Sequence, residues 1–113
     1  MGVQVTPESK IKTLVKGVLN AYGAYYFMPV QSGMGASGLD FHCVIRRGEV
    51  AIAFFVETKK DELTDLTPRQ QLLKSNLEMK QHAKVFVVGG RKSLKILSDW
   101  LEETYQYGRS ITK

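Results

Sequence analysis

Gly38-Leu39-Asp40-Phe41-His42-Cys43-Val44-Ile45-Arg46-Arg47-Gly48-Glu49-Val50-Ala51-Ile52-Ala53-Phe54-Phe55-Val56-Glu57-Thr58-Lys59 is the stretch from which the rest of the chain is placed. Two runs rich in β-branched and aromatic residues flank Gly48-Glu49, which reads as a two-residue hairpin turn with glycine first, as a type II′ turn prefers. That turn pairs Arg47 with Val50. Counting outward without a bulge pairs Ile45 with Ile52, Cys43 with Phe54 and Asp40 with Glu57. Directly opposed Cβ atoms on an antiparallel pair lie roughly 4.5–5.5 Å apart. Two carboxylates therefore face each other at the open end of the hairpin, and bare they repel. A divalent cation between them would remove that cost, since hard cations such as magnesium take oxygen ligands. Lys59 follows Glu57 by two and shares its face on a continuing strand. Two acids and an ammonium group at one end of a sheet suit the hydrolysis of a phosphate ester.

The hairpin is apolar on both sides. Phe41, Cys43, Ile45, Ile52, Phe54 and Val56 form one face. Asp40, His42, Val44, Ala51, Ala53, Phe55 and Glu57 form the other. This pattern predicts a sheet covered on both sides, with its charges gathered at one end. His42 reads as a packed or surface histidine, with a ligand or proton-shuttle role as the alternative. Cys43 reads as a small buried side chain.

Toward the N-terminus, residues 6–22 have helical periodicity, with Ile11, Leu14, Val15, Val18, Leu19 and Tyr22 on one stripe. Thr6 suits the N-cap and Pro7 the first helical position. Glu8 shares the apolar stripe and can face inward, although an acid in the first turn is also explained by the helix dipole. Residues 24–30 predict a strand whose Tyr25, Tyr26, Phe27 and Met28 serve either core or interface. The glycine-rich loop 31–38 lacks the lysine of a phosphate-binding Walker loop and reads as a plain connection.

Toward the C-terminus, 60–66 is a polar loop. Thr67-Pro68-Arg69-Gln70 is a capping box that opens a second helix, running to about Gln81. Gln70 also shares a stripe with Leu73 and Leu77, so it can sit over the sheet. His82 reads as a polar helix-terminal residue. Lys84–Val88 is a buried strand, Gly89-Gly90 breaks it, and Ser93 to about Tyr105 is a last helix. The tail 108–113 reads as flexible. The order is αβββαβα, an α/β chain with α+β-like character: a meander of three antiparallel strands, then a crossover helix that brings in a fourth strand parallel to a neighbour.

At 113 residues the chain fits one domain, with its core at about 6–105. The net charge of +5, from 16 basic and 11 acidic residues, favours a polyanionic partner such as nucleic acid. No apolar run is long enough for a membrane span and no signal peptide opens the chain. The lone Cys43 excludes an internal disulfide and fits a reducing cytoplasm.

Gly38-Leu39-Asp40, then Glu57-Thr58-Lys59, then Leu66-Thr67-Pro68-Arg69-Gln70, in this order of elements, resemble the VRR-NUC family of the PD-(D/E)XK nuclease superfamily. Glu8 matches the acid on that family's first helix. Leu39 stands where the family often has proline, a change that only loosens entry into the strand. The resemblance implies a restriction-endonuclease-like core with a four-stranded mixed sheet flanked by helices. It implies hydrolysis of DNA phosphodiesters with magnesium or manganese. Small stand-alone members, typical of phages and bacteria, look like dimeric Holliday-junction resolvases, so the implied partners are branched or four-way DNA and a second copy of the chain.

On this reading Asp40 and Glu57 ligate the metal, with the Thr58 carbonyl and, directly or through water, Glu8 as further ligands. Lys59 positions or activates the attacking water, and Gln70 orients Lys59, the water or the phosphate. Lys10, Lys12, Arg46, Arg47, Lys60, Arg69 and Lys74 are candidates for phosphate contacts. The rival reading is a non-catalytic nucleic-acid-binding module of the same fold.

Overall fold

The computed structural model describes residues 6–29 and 39–111. The glycine-rich loop 31–38 and the last two residues of the tail lie outside them. The Thr6 hydroxyl accepts a hydrogen bond from the Ser9 N–H at 3.1 Å, and with Pro7 in the first turn helix α1 spans Pro7–Ala21. Its buried residues are Ile11, Val15 and Leu19, one turn apart. Strand β1, Tyr25–Phe27, is shorter than the 24–30 predicted.

The hairpin forms as counted. Strand β2 is Phe41–Arg47 and β3 is Val50–Thr58, with Arg47 opposite Val50, Ile45 opposite Ile52 and Cys43 opposite Phe54. Gly48 has φ +64° and Glu49 has no positive φ, which is the type II′ pattern. Helix α2 is Pro68–Lys80, β4 is Lys84–Val88, and α3 is Arg91–Ile111. The last helix thus runs further at both ends than 93–105. The sheet order is β1-β2-β3-β4, antiparallel except for β4, which pairs parallel with β3.

One face of the sheet carries the core. Phe41, Cys43, Ile45, Phe54, Val56, Phe86 and Val88 pack under Ile11, Val15 and Leu19 of α1 and Leu97 and Leu101 of α3. Trp100 closes this layer, with its ring 5.0 Å from that of Phe54 and 5.3 Å from that of Phe86. Cys43 is buried here with a free thiol, and burial pushes its pKa up to about 12.

The other face departs from the prediction of a sheet covered on both sides. Helix α2 contacts β4 and buries none of its own residues. Toward the opposite edge, on β1 and β2, Tyr25, Phe27 and Val44 are exposed, and His42 lies edge-on between the rings of Phe27 and Phe55. Period-two apolar residues on both faces require a partner for each face, but they do not say that a helix of the same chain supplies it. The same alternation divides β1 and its flank: Tyr25 and Phe27 point outward, while Tyr26 and Met28 pack on the core.

Past β3 the chain is held closely. The Lys59 N–H donates to the Val88 carbonyl at 2.9 Å, so the parallel pairing continues one residue beyond the strand. The loop then passes over Gly89-Gly90. A Cβ on Gly89 would stand 2.1 Å from the Asp61 carbonyl oxygen, and one on Gly90 would stand 2.8 Å from Glu62 Oε1. Gly90 precedes α3 and has no side chain to cap it. Glu62 does this from across the loop, accepting from Ser93 N at 3.0 Å and Ser93 Oγ at 2.7 Å. No described helix is long and apolar enough to cross a membrane.

Candidate active site

Asp40 stands immediately before β2, and Glu57, Thr58 and Lys59 end β3 and begin the next loop. Because the hairpin has no bulge, the two acids arrive at the same sheet end. The Asp40 N–H donates to Glu57 Oε1 at 3.1 Å. Asp40 Oδ2 in turn accepts from the Thr58 N–H at 2.8 Å and from the Thr58 hydroxyl at 2.6 Å. Each acid is therefore tied to the other's strand.

Gln70 closes the site from α2. Its Nε2 donates to Glu57 Oε2 at 2.6 Å, and its Oε1 accepts from Lys59 Nζ at 2.7 Å and from Thr67 N at 3.0 Å. The last bond belongs to the capping box, so one side chain both completes the cap of α2 and lies against Glu57 and Lys59. Lys59 Nζ is 3.8 Å from Glu57 Oε2. Glu57, Thr58 and Lys59 are all buried. Burial first, and the neighbouring Asp40 charge second, push the Glu57 carboxyl up from 4.5 to about 7, against the opposing pull of the Asp40 N–H and Lys59.

Glu8 reaches the rim and stops there. Its Oε2 is 3.9 Å from Lys12 Nζ, one turn along α1, and that same ammonium is 3.7 Å from Asp40 Oδ1. Among the described residues no three Asp, Glu, His or Cys side chains gather as a metal-binding cluster. The four-ligand set of Asp40, Glu57, Thr58 and Glu8 is thus reduced here to two carboxylates and the strand-end backbone, with Lys12 standing between Glu8 and Asp40. This donor set still fits a hard divalent cation. It is all oxygen, and it concentrates negative charge in a buried place where Glu57 is hard to ionise unaided.

The candidate phosphate contacts divide by position. Lys12 is in the site, while Lys60 and Arg69 adjoin Lys59 and Gln70 and are exposed. Lys10 is exposed on α1. Lys74 pairs with Glu78 at 2.9 Å. Arg46 and Arg47 lie at the hairpin tip, on the order of 20 Å along the strands from the acids, and Arg47 stacks 3.9 Å from the Tyr107 ring centre. His42 stays among aromatic rings, with its pKa lowered by burial, and His82 is an exposed residue with φ +55° after α2.

Two site features escaped the sequence reading: the Thr58 hydroxyl on Asp40, and the Glu62 cap that holds the loop after Lys59. A threonine between the two motif residues was the only local signal for the first.

No protein-family model matches the chain, and no curated protein matches it. Among solved structures, one described as a VRR_NUC domain is similar with a TM-score of 0.68 and 33% sequence identity, over 83% of this chain and 96% of that one.

Proposed function

The chain belongs to the VRR-NUC domain family, and from that premise we propose that it is a magnesium- or manganese-dependent DNA endonuclease. The observation that carries this reading is the Glu57 carboxylate, which meets the Asp40 backbone, the Gln70 amide and the Lys59 ammonium at one sheet end. Three separate pieces of sequence converge there, and none is needed at that place to fill the core.

Asp40 and Glu57 would hold the cation, with the Thr58 carbonyl and a water-mediated share from Glu8. When bound, the cation lowers the pKa of water and draws charge from the scissile phosphate. Thr58 fixes Asp40 through Oδ2 and so aims the remaining oxygen. Gln70 fixes Lys59 through Oε1, which keeps the ammonium from collapsing fully onto Glu57. A buried, aimed ammonium positions water and offsets charge growing on the phosphoryl oxygens. We take residues 6–105 as one catalytic unit.

The proposed substrate is branched DNA, with a Holliday junction cut by a homodimer in the cytoplasm of a bacterial cell, where the protein is encoded by the bacterium or by its phage. A two-fold dimer brings two sites to two strands. The exposed Tyr25 and Phe27 supply apolar surface of the kind that interfaces use. Sedimentation at micromolar concentration tests this point: a dimer is expected, and a monomer alone overturns it.

The central test is cleavage of labelled four-way, flap, splayed-arm and linear DNAs in parallel, with magnesium and with chelator. Cleavage is expected with the metal and on the four-way junction first. It should be lost in Asp40→Ala and Lys59→Ala, with Lys59→Ala still folded. DNA binding by the wild type without cutting under any divalent cation would instead identify a non-catalytic binding module. If Lys12, Lys60 and Arg69 engage phosphates, log affinity falls against log salt by about 0.9 per phosphate neutralised.

A further inference from the structure

The two lysines of the site are held differently. Lys59 has a side chain only 11% exposed and is anchored by Gln70 at 2.7 Å. Lys12 is rooted on a helix, its side chain is 32% exposed, and it meets its acids only at ion-pair distance, 3.7 Å from Asp40 and 3.9 Å from Glu8. Nothing else described restrains it, so its four-carbon stem can swing to solvent.

Its target is selective. Asp40 Oδ2 already accepts two hydrogen bonds from Thr58. Among the described residues Oδ1 meets only Lys12, in a side chain 13% exposed. This is the oxygen that a divalent cation would need. An ammonium and a divalent cation cannot both occupy its near side without strong repulsion.

We propose that Lys12 is the resident counter-cation of Asp40: it neutralises Oδ1 in the cation-free protein, competes with the divalent cation for that oxygen, and on displacement turns to a DNA phosphate. This rests on Asp40 and Glu57 being the cation's ligands. Lys12 thereby couples the two binding events. Cation entry releases one positive charge at the rim of the site, where the scissile strand must lie.

The test is calorimetric titration with manganese chloride, without DNA, of wild type, Lys12→Met, Lys12→Arg and Asp40→Asn. Lys12→Met is expected to bind manganese about five- to tenfold more tightly, because a like charge is removed from beside the ligand. Lys12→Arg, which keeps the charge, should stay near wild type, and Asp40→Asn should lose binding. Thermal unfolding of each variant confirms the fold; Lys12 is not among the buried residues of α1, so the fold of its variants should be retained.

A second arm measures affinity for a four-way junction against salt, with calcium and with chelator. Lys12→Met should lower the log–log slope by about 0.9 with calcium and leave it unchanged with chelator, where Lys12 is engaged by Asp40. Unchanged or weaker manganese binding in Lys12→Met, while Asp40→Asn loses it, overturns the role of Lys12 alone. An equal loss of slope with calcium and with chelator also overturns it. Absence of manganese binding in wild type overturns the cation-site reading and this proposal with it.

Discussion

Gln70 uses one side chain for two tasks: its oxygen closes the capping box of α2 and receives Lys59, while its nitrogen steadies Glu57. Gln70→Ala keeps the Thr67 cap but should cost stability, about 0.5–1.5 kcal/mol for each side-chain hydrogen bond lost, and also abolish most cleavage. Gln70→Glu separates the two. Glutamate still caps, but it sets a third carboxylate against Glu57, so stability without metal should drop most at high pH. Glu57 itself predicts an unusual pH response. Its carboxyl has an ordinary value of 4.5 and is raised to about 7 by burial and by Asp40. Between those values the folded chain binds the proton better than the unfolded chain does. The associated stability is thus full below about 4.5 and is lost as pH rises through about 7. Denaturant unfolding in chelator should show lower stability at pH 8 than at pH 5.5, by on the order of 1–3 kcal/mol. Glu57→Gln should flatten that difference, and added magnesium should offset it at pH 8.

Between elements, the hairpin was legible before any coordinates because a two-residue turn fixes register, and register alone carried Asp40 to Glu57. The capping box at Thr67 was legible for the same reason, as its partners are local. The Glu62 clasp was not, since it joins residues 31 apart in sequence and no local pattern marks a carboxylate that caps another element's helix. The two glycines in its path give contrasting expectations. Gly89→Ala drives a Cβ to 2.1 Å from backbone oxygen, whereas Gly90→Ala meets the Glu62 side chain at 2.8 Å. Overpacking of this kind costs typically 1–3 kcal/mol. Gly89→Ala should fall at or above the upper end, measured by denaturant unfolding, and Gly90→Ala nearer the lower. In a Glu62→Ala background the Gly90→Ala cost should shrink while that of Gly89→Ala stays, because only the former clash is with a removable side chain. A loop loosened there also loosens Lys59, so Glu62→Ala should slow cleavage more than it weakens DNA binding.

Across the whole molecule, strand and helix order, the mixed sheet and the buried face were legible from periodicity. The outer face around Tyr25, Phe27 and Val44, exposed among the described residues, was not, because alternating apolar residues record that a surface avoids water without recording what covers it. If a second copy covers it, Tyr25→Lys with Phe27→Lys should shift sedimentation from dimer to monomer and lower the thermal midpoint to a value that no longer depends on protein concentration. The sulfur at position 43 offers a way to follow the entire fold at once. It lies under both helices that roof the sheet, and its proton is held so firmly that almost no thiolate exists at neutral pH. A maleimide or disulfide reagent can then react only in molecules whose roof has lifted. The chain carries its own clock for global opening, read by mass spectrometry as the mass the reagent adds, and cation or DNA should slow it in proportion to how tightly each is bound.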